Sequence, residues 1–314
     1  MTTPPVSAGL MAHQAALSAD PAASGWIMVS TVLVLLMSLP GLALFYGGMV
    51  RRKNVLATLA QTVAAAVLAM ILWALIGYSL AFAEGGSASV QALIGGFDAT
   101  FLNGVGIQTA HKLAPGLPEP LWIAFQMTFA MITPAIIAGA FAERMKFSAF
   151  LLFTALWLVL VYAPVCHWVW GGGFLGAWGV LDFAGGAVVH INSGVAGLVC
   201  ALMLGKRRGY GRDNLAPHNL VLTMIGGSLL FVGWIGFNAG SAWAADSIAA
   251  MALLNTLLAA ATGVVGWVLP EWISRKKPTL LGMLSGLIAG LVGITPAAGF
   301  VAPGGAMAIG LLTG

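Results

Sequence analysis

Charged side chains are scarce in this chain of 314 residues: Asp, Glu, Lys and Arg make up 7% of it, while 60% of the residues are hydrophobic. A soluble domain carries about 25% charged residues. No water-soluble fold of this size buries so much apolar surface, and the mean hydropathy of +0.98 agrees. The composition therefore predicts an all-α polytopic membrane protein. The net charge of +4 reflects where the few charges stand and does not indicate a nucleic-acid partner.

Cysteine frameworks, a leader sequence and catalytic constellations are also lacking. Cys166 and Cys200 have no disulfide or metal-ligand spacing, and His167 beside Cys166 finds no further ligand. Residues 1–25 contain neither a basic region nor an apolar core, so the sequence predicts no cleaved signal peptide. The glycines at 171–173 have no Walker lysine. We therefore expect no enzyme, no metal and no cofactor.

Nine apolar runs divide the sequence. Since a membrane-crossing helix needs about 20 predominantly apolar residues, we predict an extracytoplasmic N-terminal segment at 1–25 and a membrane domain at 26–314. The ninth run is too short to cross a membrane, so we expect the sequence to stop inside its ninth span. The predicted spans are 26–49, 55–82, 120–141, 147–165, 186–205, 219–242, 247–269, 279–298 and 302–314.

The basic residues lie in alternate loops. Twelve of the 13 Lys and Arg follow spans 1, 3, 5 and 7, and only Lys112 lies on the other side. Because cytoplasmic loops are enriched in Lys and Arg, this alternation predicts a multi-pass protein with its N-terminus outside. The residues are Arg51, Arg52, Lys53, Arg144, Lys146, Lys206, Arg207, Arg208, Arg212, Arg275, Lys276 and Lys277.

A weak internal repeat links spans 1 and 6. The motif Gly41-x-x-x-Phe45-x-x-Gly48 recurs as Gly233-x-x-x-Phe237-x-x-Gly240. The two copies stand five spans apart, so they have opposite orientations in the membrane. Inverted repeats of this kind are typical of transporters, whose binding sites lie at the interface between the repeats.

His190 is an ionisable residue at the start of span 5. Ionisable residues inside membrane spans are costly to bury and are functional candidates by default. One interpretation is an imidazole that lines a conduit, where it donates and accepts hydrogen bonds or relays a proton. The alternative is a core histidine bonded to a backbone carbonyl.

Two groups of aromatic residues are candidates for a cation site or a gate. Trp168 and Trp170 stand just beyond span 4, where they form either part of the interfacial aromatic belt or a cation–π platform. Phe125 and Phe129 share one face of span 3, because they are four residues apart, and Phe237 lies in span 6. These phenylalanines form either core packing or a stacked gate.

Three polar residues stand near the outer ends of spans. Asp182 precedes span 5 and either caps its helix or enriches cations at an outer mouth. Ser241 and Asn238 end span 6 and either cap it or contact a ligand. The residues alone leave these alternatives open.

Several of these motifs together resemble the Amt/MEP/Rh ammonium transporter family, on its Amt branch. The resemblance runs from about residue 26 to the end of the sequence, with the motifs in the family's order. The segments that carry it are Pro40-Gly-Leu-Ala-Leu-Phe-Tyr-Gly-Gly48, Glu143-Arg144 with Phe147-Ser148, Asp182-Phe-Ala-Gly-Gly-Ala-Val-Val-His190-Ile-Asn192, Gly233-Trp-Ile-Gly-Phe-Asn-Ala-Gly-Ser241 and Gly293-Ile-Thr-Pro-Ala-Ala-Gly299.

The resemblance implies an eleven-span fold of inverted five-helix repeats, of which about 8.5 spans stand in this sequence. It also implies an outer recruitment site for ammonium at Trp170, Phe129 and Ser241. Below that site, Phe129 and Phe237 are expected to form the gate.

The same resemblance implies that His190 lines an apolar lumen with Trp234 beside it, while Asp182 holds the outer site together. A second lumen histidine belongs to the family's tenth span, which this sequence does not contain. The implied partners are ammonium or ammonia, the lipid bilayer, and further copies of the chain in a homotrimer. A PII-type signalling protein is a possible partner, but its site on the family's C-terminal tail is absent here. The implied location is the cytoplasmic (inner) membrane.

Two other functions stay open beside ammonium transport. One is a passive Rh-type gas channel for ammonia or carbon dioxide. Trp170 and Ser241 argue against it, because a neutral gas needs no cation platform. The other is an ammonium sensor that binds the ion with little transport.

Overall fold

The computed structural model describes residues 19–107 and 109–314. Within these ranges each predicted span corresponds to a helix, and seven helices are long and apolar enough to cross a membrane. The all-α polytopic fold is therefore confirmed. The membrane-length helices are α1 (Pro21–Met49), α2 (Arg52–Phe82), α3 (Glu119–Phe141), α4 (Phe147–Ala177), α5 (Gly186–Leu204), α6 (Leu220–Gly240) and α7 (Ser247–Arg275), and the shorter ones are α8 (Leu280–Ile294) and α9 (Pro303–Thr313).

Most of the predicted N-terminal segment, residues 1–18, lies outside the described residues. The helix that follows begins at Pro21, earlier than the sequence-predicted start at 26. Asp20 explains this start, because its Oδ1 accepts hydrogen bonds from the backbone N of Ala22 at 2.8 Å and of Ala23 at 3.2 Å. The polar residue that ends the N-terminal segment thus begins the first helix.

Side-chain caps begin several of the other helices. The first N–H groups of a helix have no partner inside the helix, and such groups are costly where water is scarce. Asn219 caps α6, Asp246 caps α7 and Thr279 caps α8, each through a side-chain oxygen that accepts from the first turn. Short polar residues between apolar runs therefore set where these helices begin.

Four helices contain π-helical turns, which widen the backbone locally. In α1 the turn coincides with Pro40, which has no N–H to donate, and Leu39 before it leaves the helical region with φ −135° and ψ 106°. The turn that begins α5 contains His190. The four turns are Met37–Leu42, Trp73–Gly77, Leu158–Tyr162 and Gly186–Ile191.

The glycines of the internal repeat lie where α1 and α6 pack against each other. A Cβ at Gly41 would stand 3.3 Å from the backbone N of Leu230, and a Cβ at Gly240 would stand 2.7 Å from the Cβ of Ser30. Small residues let membrane helices approach closely where no hydrophobic effect drives them together. The repeat motif therefore forms a close contact between the first helix of each half.

Three of the basic loops meet at one end of the bundle. Arg51 Nη2 lies 2.6 Å from Glu143 Oε2, and Arg51 Nη1 lies 3.9 Å from Asp213. These residues follow α1, α3 and α5, so the three loops share one side. Burial by itself raises the pKa of Glu143, but the hydrogen bonds and charge of Arg51 outweigh burial and lower it to about 2.

The fourth span is longer than predicted. Within α4 the continuous helix runs through Val169, and a short turn of helix at Phe174–Ala177 follows a break. His167 and Trp168 therefore lie inside the helix, and the prediction that Trp168 stands beyond the span is wrong. His167 is fully buried, with Nδ1 2.8 Å from the carbonyl oxygen of Ala81 and Nε2 2.6 Å from that of Gln91. The two ring nitrogens therefore face one carbonyl oxygen on α2 and one in the segment that follows it, which places His167 where α4 packs against both.

Candidate functional site

A cavity of about 250 Å³ opens at the end of the bundle opposite the paired basic loops. Trp170, Phe129 and Ser241, predicted from distant parts of the sequence, all line it. Asp182 lines it too. The complete lining is Gln126, Phe129, Trp170, Asp182, Phe183, Ser241, Ala242, Trp243, Ile248 and Phe300.

Asp182 is a helix cap. Its Oδ1 accepts hydrogen bonds from the backbone N–H groups of Gly185 and Gly186 at 2.8 and 2.6 Å, and its Oδ2 accepts from Ala187 and Val188 at 2.8 and 3.0 Å. A carboxylate at this position satisfies the free amides and complements the helix dipole. With 8% of its surface exposed, Asp182 has both carboxylate oxygens occupied by its own chain.

The backbone of Asp182 also positions Trp170. The indole Nε1–H of Trp170 donates a 2.9 Å hydrogen bond to the carbonyl oxygen of Asp182. The residue therefore links the start of α5 to the half-buried indole at the end of α4. This geometry agrees with a structural task for Asp182, which stays a prediction.

Phe129 and Phe237 pack ring against ring directly beneath the cavity. Their centroids are 4.4 Å apart with an interplanar angle of 31°, and both residues are fully buried. The ring of Trp170 meets Phe129 edge to face at 5.8 Å. Phe125 packs against Phe129 at 5.0 Å and is likewise buried. Of the pair, Phe129 lines the cavity and Phe237 does not.

His190 lies on the other side of this pair. Its ring centroid is 5.7 Å from that of Phe237 and 5.3 Å from that of Trp234, on which it stacks at 20°. The Nε2 atom of His190 is buried and has no hydrogen-bond partner. The core interpretation required a bond from the ring to a backbone carbonyl, and Nε2 makes none.

A hydrogen bond fixes the indole of Trp234. Its Nε1–H donates a 2.9 Å hydrogen bond to Oγ1 of Thr295, and that hydroxyl donates in turn to the carbonyl oxygen of Leu291 at 2.7 Å. Both Trp234 and Thr295 are buried. The indole therefore has a satisfied N–H and a fixed orientation beside His190.

Ser241 and Asn238 end α6 in different ways. The hydroxyl of Ser241 donates to the carbonyl oxygen of Phe237 at 2.8 Å, which leaves its oxygen lone pairs available toward the cavity it lines. Asn238 is fully buried and donates from Nδ2 to Oγ1 of Thr256 at 2.9 Å. Asn238 therefore joins α6 to α7 and does not line the cavity.

Gln126 and Trp243 are among the cavity residues that the sequence did not single out. Gln126 is 3% exposed, and its Oε1 is buried without a hydrogen-bond partner. Gln126 is a polar residue inside an apolar span. It stands three positions before Phe129, so the two residues lie on a similar face of the helix. This pattern was a signal that could have revealed Gln126. Trp243 stands in a loop whose sequence carries no comparable signal.

The arrangement combines an open cavity of aromatic and polar groups with a buried row of rings that leads inward. Such a site can hold a small cation at its surface and restrict what passes beyond. No group of three or more His, Cys, Asp or Glu in the described part of the chain could hold a metal ion. Together the fold and the site define a polytopic membrane protein with an aromatic and polar cavity at one end.

Comparisons with known proteins name the family. A sequence model described as the Ammonium Transporter Family matches residues 25–314, and the chain belongs to this family, whose members are transporters and not enzymes. The chain is 56% identical over 285 residues to the "Ammonium transporter" of Bacillus subtilis, a match that covers 90% of this chain and 68% of that protein. The resemblance inferred from the motifs is therefore confirmed.

Solved structures support the same conclusion. The crystal structure of Saccharomyces cerevisiae Mep2 has a TM-score of 0.87 at 37% identity, covering 94% of this chain and 65% of that one. A structure described as a "Sensor Amt Protein" has a TM-score of 0.85 at 28% identity, covering 93% and 72%. The chain thus spans about two thirds of the length of the Bacillus protein and of Mep2.

Proposed function

We propose that this chain transports ammonium or ammonia across a membrane through a conduit within each subunit. The observation that carries the proposal is a continuous row of rings from the outer cavity inward. Trp170, Phe129, Phe237 and His190 follow one another at centroid distances of 5.8, 4.4 and 5.7 Å. The relatives named as ammonium transporters supply the substrate class.

Recruitment takes place in the outer cavity. Ammonium loses part of its hydration there, and the indole of Trp170 replaces it by cation–π attraction. The oxygen of Ser241 accepts one N–H of the ion. Gln126 Oε1, buried without a partner, is suited to accept a second. Ammonium has four N–H donors, whereas potassium has none, so acceptors at this position favour ammonium over an ion of similar size.

The passage inward from the cavity excludes an ion that keeps its full charge. The Phe129–Phe237 pair offers no polar group, and an ion stripped of water there bears a large desolvation cost. Ammonium avoids this cost by transferring a proton to water at the open outer cavity and passing as ammonia, while potassium has no proton to give up. Beyond the rings, the unpartnered Nε2 of His190 is available to hydrogen-bond ammonia.

Uptake of radiolabelled methylammonium and its competition by ammonium test the recruitment step. Trp170→Leu removes the cation–π face and should weaken ammonium competition by roughly two- to tenfold. Trp178→Leu is the matched control, since this tryptophan is 75% exposed and does not line the cavity. Unchanged competition in Trp170→Leu would contradict the proposed recruitment site.

Location and assembly follow from the same proposal. We place the protein in the cytoplasmic (inner) membrane with the outer cavity and the N-terminus outside, because the basic loops favour the cytoplasmic side. A homotrimer and, for a longer form carrying the family's tail, a PII-type partner belong to the proposal as well. Native mass spectrometry in detergent tests the trimer directly.

A sensor is the second candidate, favoured by the similarity to the structure described as a Sensor Amt Protein. A sensor would bind ammonium at the outer cavity without appreciable uptake. A passive Rh-type gas channel is less compatible with a cavity that carries Trp170, Ser241 and the free acceptor of Gln126. Saturable binding together with saturable uptake by the parent chain separates transport from both alternatives.

A further inference from the structure

Trp243 has an unusual backbone conformation. Its φ is +58°, in the left-handed region that non-glycine residues rarely adopt. Such positions persist only where the surrounding structure imposes them, and they concentrate at ligand sites and clamps. A bulky aromatic residue in this conformation therefore calls for an explanation beyond loop closure.

The loop that carries Trp243 is fixed at both ends. At the end of α6, the backbone N of Ser241 donates to the carbonyl oxygen of Asn238 at 3.1 Å. At the start of α7, Oδ1 of Asp246 accepts from the backbone N–H groups of Ile248 and Ala249, both at 2.9 Å. Within the loop, the backbone N of Trp243 donates to the carbonyl oxygen of Gly240 at 2.9 Å. These bonds hold the strained residue in place.

A rigid aromatic stack supports Trp243 from behind. Trp122, which is fully buried, meets it edge to face at a centroid distance of 6.1 Å and 81°. Trp122 also stacks on His111, with ring centroids 4.3 Å apart and an interplanar angle of 4°. His111 is itself held, with Nε2 3.3 Å from the carbonyl oxygen of Phe82. Trp243 is therefore backed by groups that have little freedom to move.

Trp243 lines the outer cavity together with Trp170, Phe129 and Ser241. The other three already supply a cation–π surface, apolar rings and a hydroxyl. Cation–π attraction alone does not reject methylated ammonium ions, because aromatic cages bind quaternary ammonium groups well. Rejection of a larger cation requires a wall that cannot yield. In this cavity of about 250 Å³, Trp243 is the strained and rigidly backed wall.

We infer that Trp243 is a specificity-determining residue of the outer cavity, which limits the size of the ammonium ion admitted and adds a second aromatic surface. The inference rests on the proposed recruitment of ammonium at this cavity. It assigns different tasks to two tryptophans: Trp170 attracts the cation, and Trp243 excludes cations larger than methylammonium, such as trimethylammonium, by contact.

Equilibrium binding of ammonium chloride and of trimethylammonium chloride to the purified full chain, measured by calorimetry in detergent, tests the inference. Trp243→Gly removes the wall, and glycine adopts the positive φ at no steric cost. Ammonium affinity should fall about two- to fivefold as one aromatic surface is lost. Trimethylammonium affinity relative to ammonium should rise about tenfold or more, because the clash is removed.

Two further variants keep the test decisive. Trp243→Asn is expected to behave like Trp243→Gly, since asparagine also tolerates the left-handed region but does not add glycine's flexibility. Trp178→Ala, which removes an exposed tryptophan away from the cavity, should leave the affinity ratio unchanged. An unchanged ratio in both Trp243 variants, with ammonium still bound, overturns the size filter alone. A parent chain that does not bind ammonium overturns the recruitment proposal itself, and this inference with it.

Discussion

The imidazole of His190 stacks on the indole of Trp234 with ring centroids 5.3 Å apart and an interplanar angle of 20°. The indole is fixed by its bond to Thr295, while the imidazole Nε2 has no partner. A buried polar atom without a partner costs free energy unless something else binds it. The pair therefore joins a rigid apolar surface to an available hydrogen-bonding atom, the combination that a passing neutral amine can use.

Replacing His190 with Ala should lower methylammonium uptake by roughly tenfold, because a buried hydrogen-bonding group at the conduit is lost. The chain should still fold, since the Nε2 atom bonds to nothing in the protein. Ile191→Ala, at a neighbouring residue that is 65% exposed, is the control. Loss of the folded species on size-exclusion chromatography would instead support the core interpretation of His190.

Asp182→Ala should destabilise the protein by about 1–3 kcal/mol, because four backbone amides at the start of α5 lose their acceptor. Thermal unfolding in detergent measures the change. Ammonium affinity should fall as well, since Trp170 is bonded to the backbone of the same residue. Asp98→Ala, at an exposed position, should be neutral. Weaker ammonium binding with unchanged stability would favour cation enrichment over capping.

Gly233→Ala should lower stability by roughly 1–3 kcal/mol, because an added methyl overpacks the α1–α6 contact. A Cβ there would lie 2.5 Å from the carbonyl oxygen of Leu33. Gly25→Ala is the matched substitution, as nothing lies within 4 Å of a Cβ at that helical glycine, and it should be neutral or slightly stabilising. Equal melting temperatures for both variants would refute the close packing of the repeat motif.

Acid should weaken the junction between the basic loops. The pKa of Glu143 is lowered from its ordinary value of 4.5 to about 2 by Arg51. A lowered carboxyl pKa means that the ionised form stabilises the fold, so this contribution is complete above about 4.5 and is lost as the pH falls through about 2. Melting temperatures between pH 6 and pH 2 should show this loss in the parent chain.

Glu143→Gln isolates that contribution, because it keeps the shape of the side chain and removes its titration. The variant should melt lower than the parent near neutral pH, and the difference should shrink toward pH 2. A constant difference across the range would show that the Arg51–Glu143 pair adds no pH-dependent stability.

For most helix ends, the sequence predicted the position to within a few residues. Backbone groups in a bilayer must be paired within their own segment, so a long apolar run can hardly become anything but a helix. The error that misplaced a candidate residue was at α4, whose continuous helix runs through Val169. Trp168 and His167 there look like residues of a loop because they are polar or amphipathic. The carbonyl oxygens that pair with their ring nitrogens lie on α2 and in the segment after it, far away in sequence.

The candidate site could likewise be predicted only in part from the sequence. The residue types of Trp170, Phe129, Phe237, Ser241 and His190 could be recognised from their motifs. The structure places the four rings in one row and Ser241 in the lining of the cavity. The sequence marks Gln126 only as a polar residue in an apolar span, and nothing local shows that its side chain is unpartnered or that the loop aromatic Trp243 is strained. Only the packing of α3, α4, α6 and α7 around one cavity reveals them.

By itself the sequence determined that this chain is a helical membrane protein, where its helices lie and to which family it belongs. Composition and local apolar runs suffice for the helices, because a backbone in lipid must pair its own polar groups. The tertiary structure alone showed that the Asp182 carboxylate accepts hydrogen bonds from four backbone N–H groups at the start of α5. It also decided which rings meet, since contacts between distant helices depend on how close their glycines let them come.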